Sequence, residues 1–399
     1  MDLRYFLNKI KDVRFTDMVS FFPFLFASAV KPFAGSRYSE SWIVCEEPGE
    51  ARDNGFWFFK YLTENHPEID SYYAIRQDSA DYAKVSELGK TIRYGSFRHW
   101  LAYLACRYNI SSQKGGKPNA AMCSFLELNN LIHVDNVFLQ HGITVNDARW
   151  LYADRSRFRF FITGTRPETE YINERFGYAE NVVQYEGFPR FDSLHDFEVV
   201  KSRILIMPSW RAWFHEKSSQ VEKEDANFEI SDYLRAWGSL LQSRRLLDLV
   251  QTYDLEVVFY PHRNMQPYLH CFKDIPPEII LASDKEYDIQ DLLKTSEMMI
   301  TDFSSVFFDM VYMKKPVVFY QFDEQKFRQQ QYGQGYFDYH NNAFGKTFDR
   351  EEDVLEELEA IVRNHYEVSA QYLEAHRKTF EKYDQENSKR IVQLLIQNR

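Results

Sequence analysis

Short apolar, strand-like runs alternate with helical stretches along almost the whole chain, and this alternation constrains the fold more than any other feature. It occurs as two successive series, the first from a strand at 41–45 to a helix at 166–176 and the second from a strand at 202–207. Strands that alternate with helices form parallel βαβ units. The sequence therefore predicts an α/β protein of two doubly wound, Rossmann-like domains. Ligands of such sheets bind at the carboxyl ends of the strands, so we expect a central cleft that both domains face.

The restart of the pattern after Asp192 suggests where the domains divide. A length of 399 residues fits about two domains. A single long helix is expected at 232–253. In chain order, we predict an N-terminal segment at 1–34, a first domain at 35–195, a second domain at 196–370 and a C-terminal helix at 371–399.

The N-terminal segment combines basic and apolar residues. Its apolar run at 21–30 is interrupted by Pro23 and is shorter than the roughly 20 residues that span a bilayer. Upstream, the apolar positions 3, 6, 7, 10 and 13 share one helical face, and residues 1–32 carry five basic and three acidic side chains. Three interpretations stay open: an amphipathic helix on the domain core, a helix in the headgroup plane of an anionic membrane, and a dimer contact.

Composition excludes some classes of protein. The net charge of −11 argues against a nucleic-acid partner, because nucleic-acid-binding domains are usually basic. The four cysteines form no CxxC pair, which argues against a zinc ribbon or redox dithiol and fits a reducing, cytoplasmic compartment. A phosphorylated substrate remains compatible with this charge, since its site needs only a local cluster of donors.

Polar residues follow the apolar strand that is predicted near residue 300. The strand runs into Thr301 and Asp302, and a helix is predicted to begin near Ser304. The hydroxyls of Ser304 and Ser305 would then lie at a helix N-terminus, where free N–H groups and the helix dipole favour an anion such as phosphate. Without a ligand, the same residues are good N-caps.

Two further strand ends carry a histidine. His141 follows the strand at 137–140, and His262 follows the strand at 257–260. A single histidine is usually structural, but two of them, one in each domain and each at a carboxyl strand end, can converge on one cleft. Histidine is suited to proton transfer near neutral pH. Arg263, next to His262, could form a fork with phosphate.

The strand at 202–207 leads into a turn with Trp210 and Arg211. Arg211 could clamp an anion and Trp210 could stack on a base; the alternative is a tryptophan at the core edge with a solvated arginine. Segment 164–168 (GTRPE) copies a signature of UDP-sugar 2-epimerases, but it lies deep in the first domain instead of after the first strand. We therefore interpret it as a helix start, with Pro167 in the first turn.

Several segments, read in chain order, carry a resemblance to a known family: 51–55 (ARDNG), 140–142 (QHG), 186–192 (EGFPRFD), 261–262 (PH), 301–305 (TDFSS), 315–316 (KP), 319–323 (FYQFD) and 335–339 (GYFDY). Together they resemble the CDP-glycerol glycerophosphotransferase family, whose members build teichoic acids and related capsule polymers. The resemblance covers roughly residues 40–395.

The resemblance implies a GT-B fold, with the acceptor side first and the nucleotide side second. It implies transfer of a polyol phosphate, glycerol phosphate above all, from a CDP-activated donor to a hydroxyl of a lipid-linked or polymer acceptor, with release of CMP. Members are commonly peripheral proteins on the cytoplasmic face of the membrane, so an anionic membrane surface is an expected partner. Segment 208–211 (PSWR) departs from the Pro-Thr-aromatic-Arg of many teichoic enzymes. That departure leaves open whether the polyol is glycerol or ribitol, and the acceptor and the number of additions are open as well.

Roles for individual residues also follow from the resemblance. His141 is expected as the general base on the acceptor hydroxyl, and His262 as a hydrogen-bond donor or acid at the donor pyrophosphate. The expected phosphate ligands are Ser304 and Ser305, followed by Thr301, Arg263 and Arg211. Asp309 and Trp210 are candidates for contacting the polyol or the nucleotide; for Asp309 the alternative is a solvated helix face.

No DxD-like metal motif adjoins the expected site. We therefore assign no cofactor, and Mg²⁺ dependence is open. Two rival functions remain at this point: a GT-B glycosyltransferase or epimerase that uses a UDP-sugar, and a non-catalytic scaffold in a cell-envelope complex. The scaffold interpretation would predict the loss of the two histidines, and both are present.

Overall fold

The computed structural model describes residues 15–214 and 227–398, with side chains from residue 21 onward. These residues form two compact units. Unit 1 comprises the described parts of 1–141, 149–192 and 384–399, and unit 2 comprises 142–148 with the described parts of 193–383. The residue ranges of the units are similar to those of the predicted domains. Each unit, however, also contains a stretch of chain that the predicted boundaries assign to a different domain or segment.

Unit 1 contains a seven-stranded parallel sheet in the order β3-β2-β1-β4-β5-β6-β7. Trp42 in the first strand pairs with Ser71 on one side and with Tyr108 on the other, so the direction of winding changes between β1 and β4. The strands are β1 (Trp42–Cys45), β2 (Ser71–Ile75), β3 (Thr91–Arg93), β4 (Tyr108–Ser111), β5 (Asn136–Phe138), β6 (Phe160–Thr163) and β7 (Val183–Tyr185).

Helices cover both faces of this sheet, because side chains alternate between the faces along each strand. Trp42 and Val44 pack into one core and Ile43 and Cys45 into the other. The helices of this part of the chain are α1 (Phe15–Ala34), α2 (Asn54–Asn65), α3 (Tyr82–Leu88), α4 (Phe97–Ala105), α5 (Ala120–Leu128) and α6 (Arg166–Arg175). Thr165 caps α6 and Pro167 lies in its first turn, which confirms the helix start predicted for segment 164–168.

Unit 2 contains a six-stranded parallel sheet in the order β10-β9-β8-β11-β12-β13, which changes direction between β8 and β11. The strands are β8 (Arg203–Ile206), β9 (Glu256–Phe259), β10 (Ile279–Leu281), β11 (Met298–Thr301), β12 (Val317–Tyr320) and β13 (Gly345–Phe348). The helices are α7 (Asp232–Gln242), α8 (Arg244–Tyr253), α9 (Ile289–Thr295), α10 (Phe307–Tyr312), α11 (Glu324–Gln330), α12 (Glu351–Arg363) and α13 (Ala370–Thr379).

Two helix predictions need correction. The helix expected at 232–253 is broken at Ser243, whose ψ of 126° leaves the helical region. The C-terminal helix expected at 371–399 is the end of α13 and a separate α14 (Asn387–Gln397). The carboxylate of Asp192 accepts the backbone N–H groups of Asn387 and Ser388 and so fixes the start of α14 in unit 1.

Helix α1 is the described part of the N-terminal segment. It runs through Pro23 and Pro32 and packs one side on α4, where Phe24 lies 5.3 Å from Trp100 between ring centroids. Its other side exposes large apolar residues, with Phe22 73% and Phe33 87% exposed. The amphipathic face predicted at positions 3–13 lies outside the described residues. In the part of the chain that was searched, no helix has the length and apolarity needed to cross a bilayer.

Candidate functional site

The carboxyl ends of β8 and β11 are joined at the point where the unit 2 sheet changes direction. Asp302 is fully buried, and its Oδ1 accepts the backbone N–H groups of Ser209 at 2.8 Å and Phe303 at 2.6 Å. The Oγ1 of Thr301 donates to the carbonyl oxygen of Met207 at 2.6 Å. These bonds fix the turn that carries Trp210, at the sheet position where doubly wound folds bind ligands.

Arg211 lies beneath the same turn and is fully buried. Its Nη2 is 2.8 Å from Asp302 Oδ2, and its Nε and Nη2 donate to the Asp323 carboxylate at 2.8 and 2.9 Å. Its Nη1 donates to Ser209 Oγ at 3.0 Å. The alternative of a solvated Arg211 is therefore wrong. Two buried carboxylates hold the guanidinium.

The helix after β11 begins later than predicted. It starts at Phe307 instead of near Ser304 and is six residues long, and Ser304 Oγ accepts the N–H of Val306 in the preceding turn. The expected helix N-terminus at Ser304 and Ser305 is thus absent from this turn. Asp309, on the helix, is buried, so the alternative of a solvated helix face is wrong for this residue.

Ser305 is partly exposed and lies beside Gly142, which belongs to unit 2. A Cβ atom on Gly142 would lie 2.5 Å from Ser305 Oγ, which is closer than real Cβ contacts come. The glycine of the QHG segment therefore permits a close approach of the main chain to this serine.

His262 follows β9 and lies beside Trp210. Its backbone N–H donates to the carbonyl oxygen of Pro208 at 3.0 Å, and its Nδ1 accepts the N–H of Asn264 at 3.1 Å. Because Nδ1 accepts a hydrogen bond, the neutral ring carries its proton on Nε2 and presents a donor there. The ring centroids of His262 and Trp210 are 6.3 Å apart. Arg263 is exposed.

His141 follows β5 in unit 1 and is exposed. The preceding Gln140 is buried, and its Nε2 donates to the carbonyl oxygen of Ile162 at 2.9 Å and to Glu168 Oε1 at 3.0 Å. Glu168, in the GTRPE segment, also accepts the N–H of Gly164 at 2.8 Å. That segment therefore helps to hold the strand end that carries His141, a role that was not predicted.

Unit 1 contains a second buried carboxylate, Glu46, that was not predicted from the sequence. Glu46 follows β1 and is buried, and its carboxylate accepts the N–H groups of Arg52, Asp53 and Phe56 at 2.9, 3.1 and 2.7 Å. Burial, together with the nearby Asp53, raises the pKa of Glu46 above its ordinary value. An acidic residue at the end of the first strand, before the ARDNG segment, was the signal that could have indicated it. Within the described residues, no group of three His, Cys, Asp or Glu side chains is placed to hold a metal ion.

Comparisons with known proteins place the chain in a family. The family model described as CDP-Glycerol:Poly(glycerophosphate) glycerophosphotransferase matches residues 42–397. The minor teichoic acid biosynthesis protein GgaB of Bacillus subtilis (strain 168) is 27% identical over 362 residues, which is 89% of this chain and 39% of GgaB. The teichoic acid poly(glycerol phosphate) polymerase of the same strain is 22% identical over 342 residues, 79% of this chain and 43% of the polymerase. The chain thus spans about two fifths of the length of these two relatives.

Solved structures show the same fold. The wall teichoic acid polymerase TagF superposes with a TM-score of 0.65 at 16% identity, over 99% of this chain and 97% of that one. The UDP-GlcNAc 2-epimerase of Neisseria meningitidis reaches 0.52 at 12% identity, over 90% and 99%. The predicted α/β class with a GT-B fold is confirmed. Because the family model matches nearly the whole described chain, the protein belongs to the CDP-glycerol:poly(glycerophosphate) glycerophosphotransferase family.

Proposed function

We propose that this protein transfers glycerol phosphate from CDP-glycerol to a hydroxyl of a lipid-linked or polymer acceptor in the synthesis of teichoic acid or a capsule-like cell-envelope polymer. CMP is the second product. The observation that carries the proposal is the pairing of His262 with Trp210 at the ends of β9 and β8. A ring N–H suited to a phosphate oxygen lies there beside an aromatic face suited to a base. Membership of the family supports the choice of a CDP-linked donor.

The reaction forms a bond between the acceptor oxygen and the β-phosphorus of the donor and breaks the bond from that phosphorus to the bridging oxygen of CMP. His141 takes the proton of the acceptor hydroxyl, as a general base at neutral pH. The Nε2–H of His262 donates to an oxygen of the pyrophosphate and offsets charge as CMP leaves. No residue gains or loses electrons in this displacement.

The other residues that are candidates for binding the donor differ in how exposed their side chains are. Ser305 and Arg263 are accessible and are proposed as phosphate ligands. Thr301 and Arg211 are fully buried and bonded to the chain around them, so we assign them to holding the turn after β8. Trp210 is proposed to stack on the cytosine. Ser304 and Asp309 are buried. Ser304 is proposed as a further phosphate ligand and Asp309 as a contact of the polyol.

We also propose that the protein acts at the cytoplasmic face of the bacterial membrane and attaches there peripherally through α1. The exposed side of this helix carries Phe22, Phe26 and Phe33, with the exposed cations of Lys31 and Arg37 close by in the chain. Apolar side chains inserted below the headgroups and cations at the surface are what an interfacial helix uses.

A donor panel tests the proposal. Purified protein is incubated with CDP-glycerol, CDP-ribitol or UDP-GlcNAc and a lipid-linked acceptor, and nucleotide release is measured. Release of CMP from CDP-glycerol, dependent on the acceptor, is the expected result. Turnover of UDP-GlcNAc without CMP release would instead favour the UDP-sugar alternative, and CDP-ribitol as the better donor would change the polyol.

A further inference from the structure

The main chain that carries His141 adopts an unusual conformation. The preceding residue, Gln140, has a φ of +58°, in the left-handed region that residues other than glycine seldom occupy. Such a conformation persists where the surrounding structure holds it in place. The contacts around this turn therefore decide where the imidazole of the next residue lies.

Asn54 makes the first of these contacts. It is the first residue of α2 and is fully buried. Its Nδ2 donates to the carbonyl oxygens of Gln140 at 2.6 Å and Leu139 at 3.3 Å. Its Oδ1 accepts the backbone N–H of Arg190 at 3.2 Å. One amide side chain thus ties the end of β5 to the start of α2 and to the short 3-10 helix Pro189–Ser193.

Arg190 makes the second set of contacts with this turn. Its Nη1 donates to the carbonyl oxygen of His141 at 3.0 Å and to Asp53 Oδ1 at 3.2 Å. The side chain is 3% exposed, and its guanidinium carbon lies 5.1 and 5.5 Å from the ring centroids of Phe188 and Phe191. A planar guanidinium packed among rings has few other arrangements. The carbonyl of His141 is therefore held at a fixed point.

We propose that Asn54 and Arg190 are positioning residues that orient His141 toward the acceptor hydroxyl. Between them they bind the carbonyl oxygens of three consecutive residues, 139–141. The inference rests on the proposed function, because it concerns a base that takes the acceptor proton. A displacement of about 1 Å can cost on the order of 10²-fold in rate, so loss of either residue lowers kcat. Donor affinity stays unchanged, because the proposed donor ligands belong to unit 2.

Three variants change the contacts in different ways. Asn54→Asp keeps the shape of the side chain but turns an oxygen, instead of a donor, toward two carbonyl oxygens. Arg190→Met removes the donors, and Arg190→Lys restores the charge and one donor. The matched control is Arg390→Met, because Arg390 is also largely buried in unit 1 but binds Glu186, Asp384 and Asn387.

Steady-state kinetics with CDP-glycerol give the first readout. Asn54→Asp and Arg190→Met should lower kcat by about tenfold or more while KM for CDP-glycerol stays within about twofold, and Arg190→Lys should recover part of kcat. Arg390→Met should keep kcat within about twofold of the wild type. Unchanged kcat in the first two variants, or an equal loss in Arg390→Met, would overturn the proposal.

Carbon-13 NMR of histidine-labelled protein gives a readout that does not depend on turnover. The His141 ring signal is assigned by its loss in His141→Gln. It should shift in Asn54→Asp and Arg190→Met and stay in place in Arg390→Met; an unshifted signal in the first two overturns the positioning role. If the wild type releases no CMP from CDP-glycerol, the proposed function fails, while the NMR comparison still tests the turn.

Discussion

At the residue scale, the two proposed catalytic histidines are held differently. His141 is an exposed side chain on a clamped turn, whereas His262 is half-buried with Nδ1 already bonded to the main chain. The first arrangement leaves the ring open to an acceptor hydroxyl. The second fixes the tautomer and directs one N–H outward. Replacement of the two residues should therefore have different effects on catalysis and on donor binding.

His141→Ala should abolish transfer while leaving donor binding nearly intact, because in the proposed mechanism this residue moves a proton and lies outside the unit to which we assign the donor. Loss of a general base costs about 10²–10⁴ in rate. The measurements are kcat for CMP release and the affinity for CDP-glycerol by calorimetry. A variant that keeps more than about a tenth of the wild-type kcat would remove His141 from the mechanism.

His262→Ala should weaken the binding of CDP-glycerol as well as turnover. One hydrogen bond to a charged group is worth about 1.5–3 kcal/mol, which is roughly 10- to 150-fold in Kd. His262→Gln can place an amide N–H near the position of Nε2 and should recover part of the affinity. Ser305→Ala should act in the same direction but more mildly. Equal calorimetric affinities in the wild type and His262→Ala would place the phosphates elsewhere.

Arg211→Met should destabilise unit 2 strongly. The substitution leaves the carboxylates of Asp302 and Asp323 buried without their cation, and breaking a buried pair in this way costs about 3–5 kcal/mol. Arg235→Met is the control, because the Arg235–Asp232 pair is exposed and should be worth less than about 1 kcal/mol. Urea unfolding measures both. Similar losses in the two variants would contradict a scaffold role for Arg211.

The sequence indicates which strand ends carry candidate site residues, and it is less informative about the buried residues that support them. His141 and His262 were predicted from their position after apolar strands. Glu46, Asn54 and Arg190 were not given roles, although Asn54 and Arg190 lie in segments that carried the family resemblance. The contacts of Asn54 and Arg190 join residues that are 49 to 137 positions apart in the chain, and no local pattern reveals such pairings.

At the element scale, the errors concern where helices begin and end. Ser304 and Ser305 resemble N-caps, yet α10 starts at Phe307. The residue before them, Phe303, stacks on Phe327 of α11 with 3.9 Å between ring centroids and an 8° angle between planes. Tertiary packing of this kind sets the path of the turn and overrides the local capping preference. The parallel strands were predictable because each is a short apolar run between helices.

One side of helix α1 packs on the core of unit 1 and the other side is exposed, and the membrane proposal rests on the exposed side. Phe22→Glu with Phe33→Glu should therefore abolish binding to anionic vesicles without unfolding the protein. Ile230→Glu, at a residue 76% exposed in unit 2, is the control and should leave binding unchanged. Sedimentation with vesicles at low and high salt measures the effect, and high salt should release part of the wild type.

Failure of the wild type to sediment at low salt would contradict the membrane proposal, and so would full binding by the double variant. A thermal melt of each variant checks the fold. Deletion of residues 1–34 is a poorer test. It would remove Phe24 and Ala27 and so expose Trp100 and other residues of the core of unit 1 that pack against them.

At the scale of the whole molecule, two parallel, doubly wound sheets were predictable from the alternation of strands and helices. The unit to which each of two short stretches belongs was not predictable in this way. Segment 142–148 belongs to unit 2, and α14 returns to unit 1, where Ile391, Val392 and Leu395 pack into the same core as Trp42. Both assignments depend on contacts between distant parts of the chain, which periodicity does not report.

Each unit also encloses a neutral histidine, and this predicts how stability depends on pH. Burial lowers the pKa of His99 in unit 1 to about 3. Burial likewise lowers the pKa of His376 in unit 2 to about 4, although its hydrogen bond to the carbonyl oxygen of Tyr312 acts in the opposite direction. The ordinary value of 6.5 applies when the chain is unfolded. The unfolded state therefore binds more protons between these values. The contribution of these two histidines to stability is fully present above pH 6.5 and is lost as the pH falls toward 3 or 4.

His99→Asn and His99→Phe should reduce this acid dependence. Asparagine Oδ1 can replace Nδ1 as acceptor of the Gly95 N–H, and phenylalanine keeps a ring beside Tyr94, so each variant adds a cost that is the same at every pH. Between pH 7 and pH 4, the wild type should lose up to about 3 kcal/mol more unfolding free energy than either variant. Urea unfolding at the two pH values measures the difference. Parallel losses in the wild type and both variants would show that His99 does not set the acid limit of unit 1.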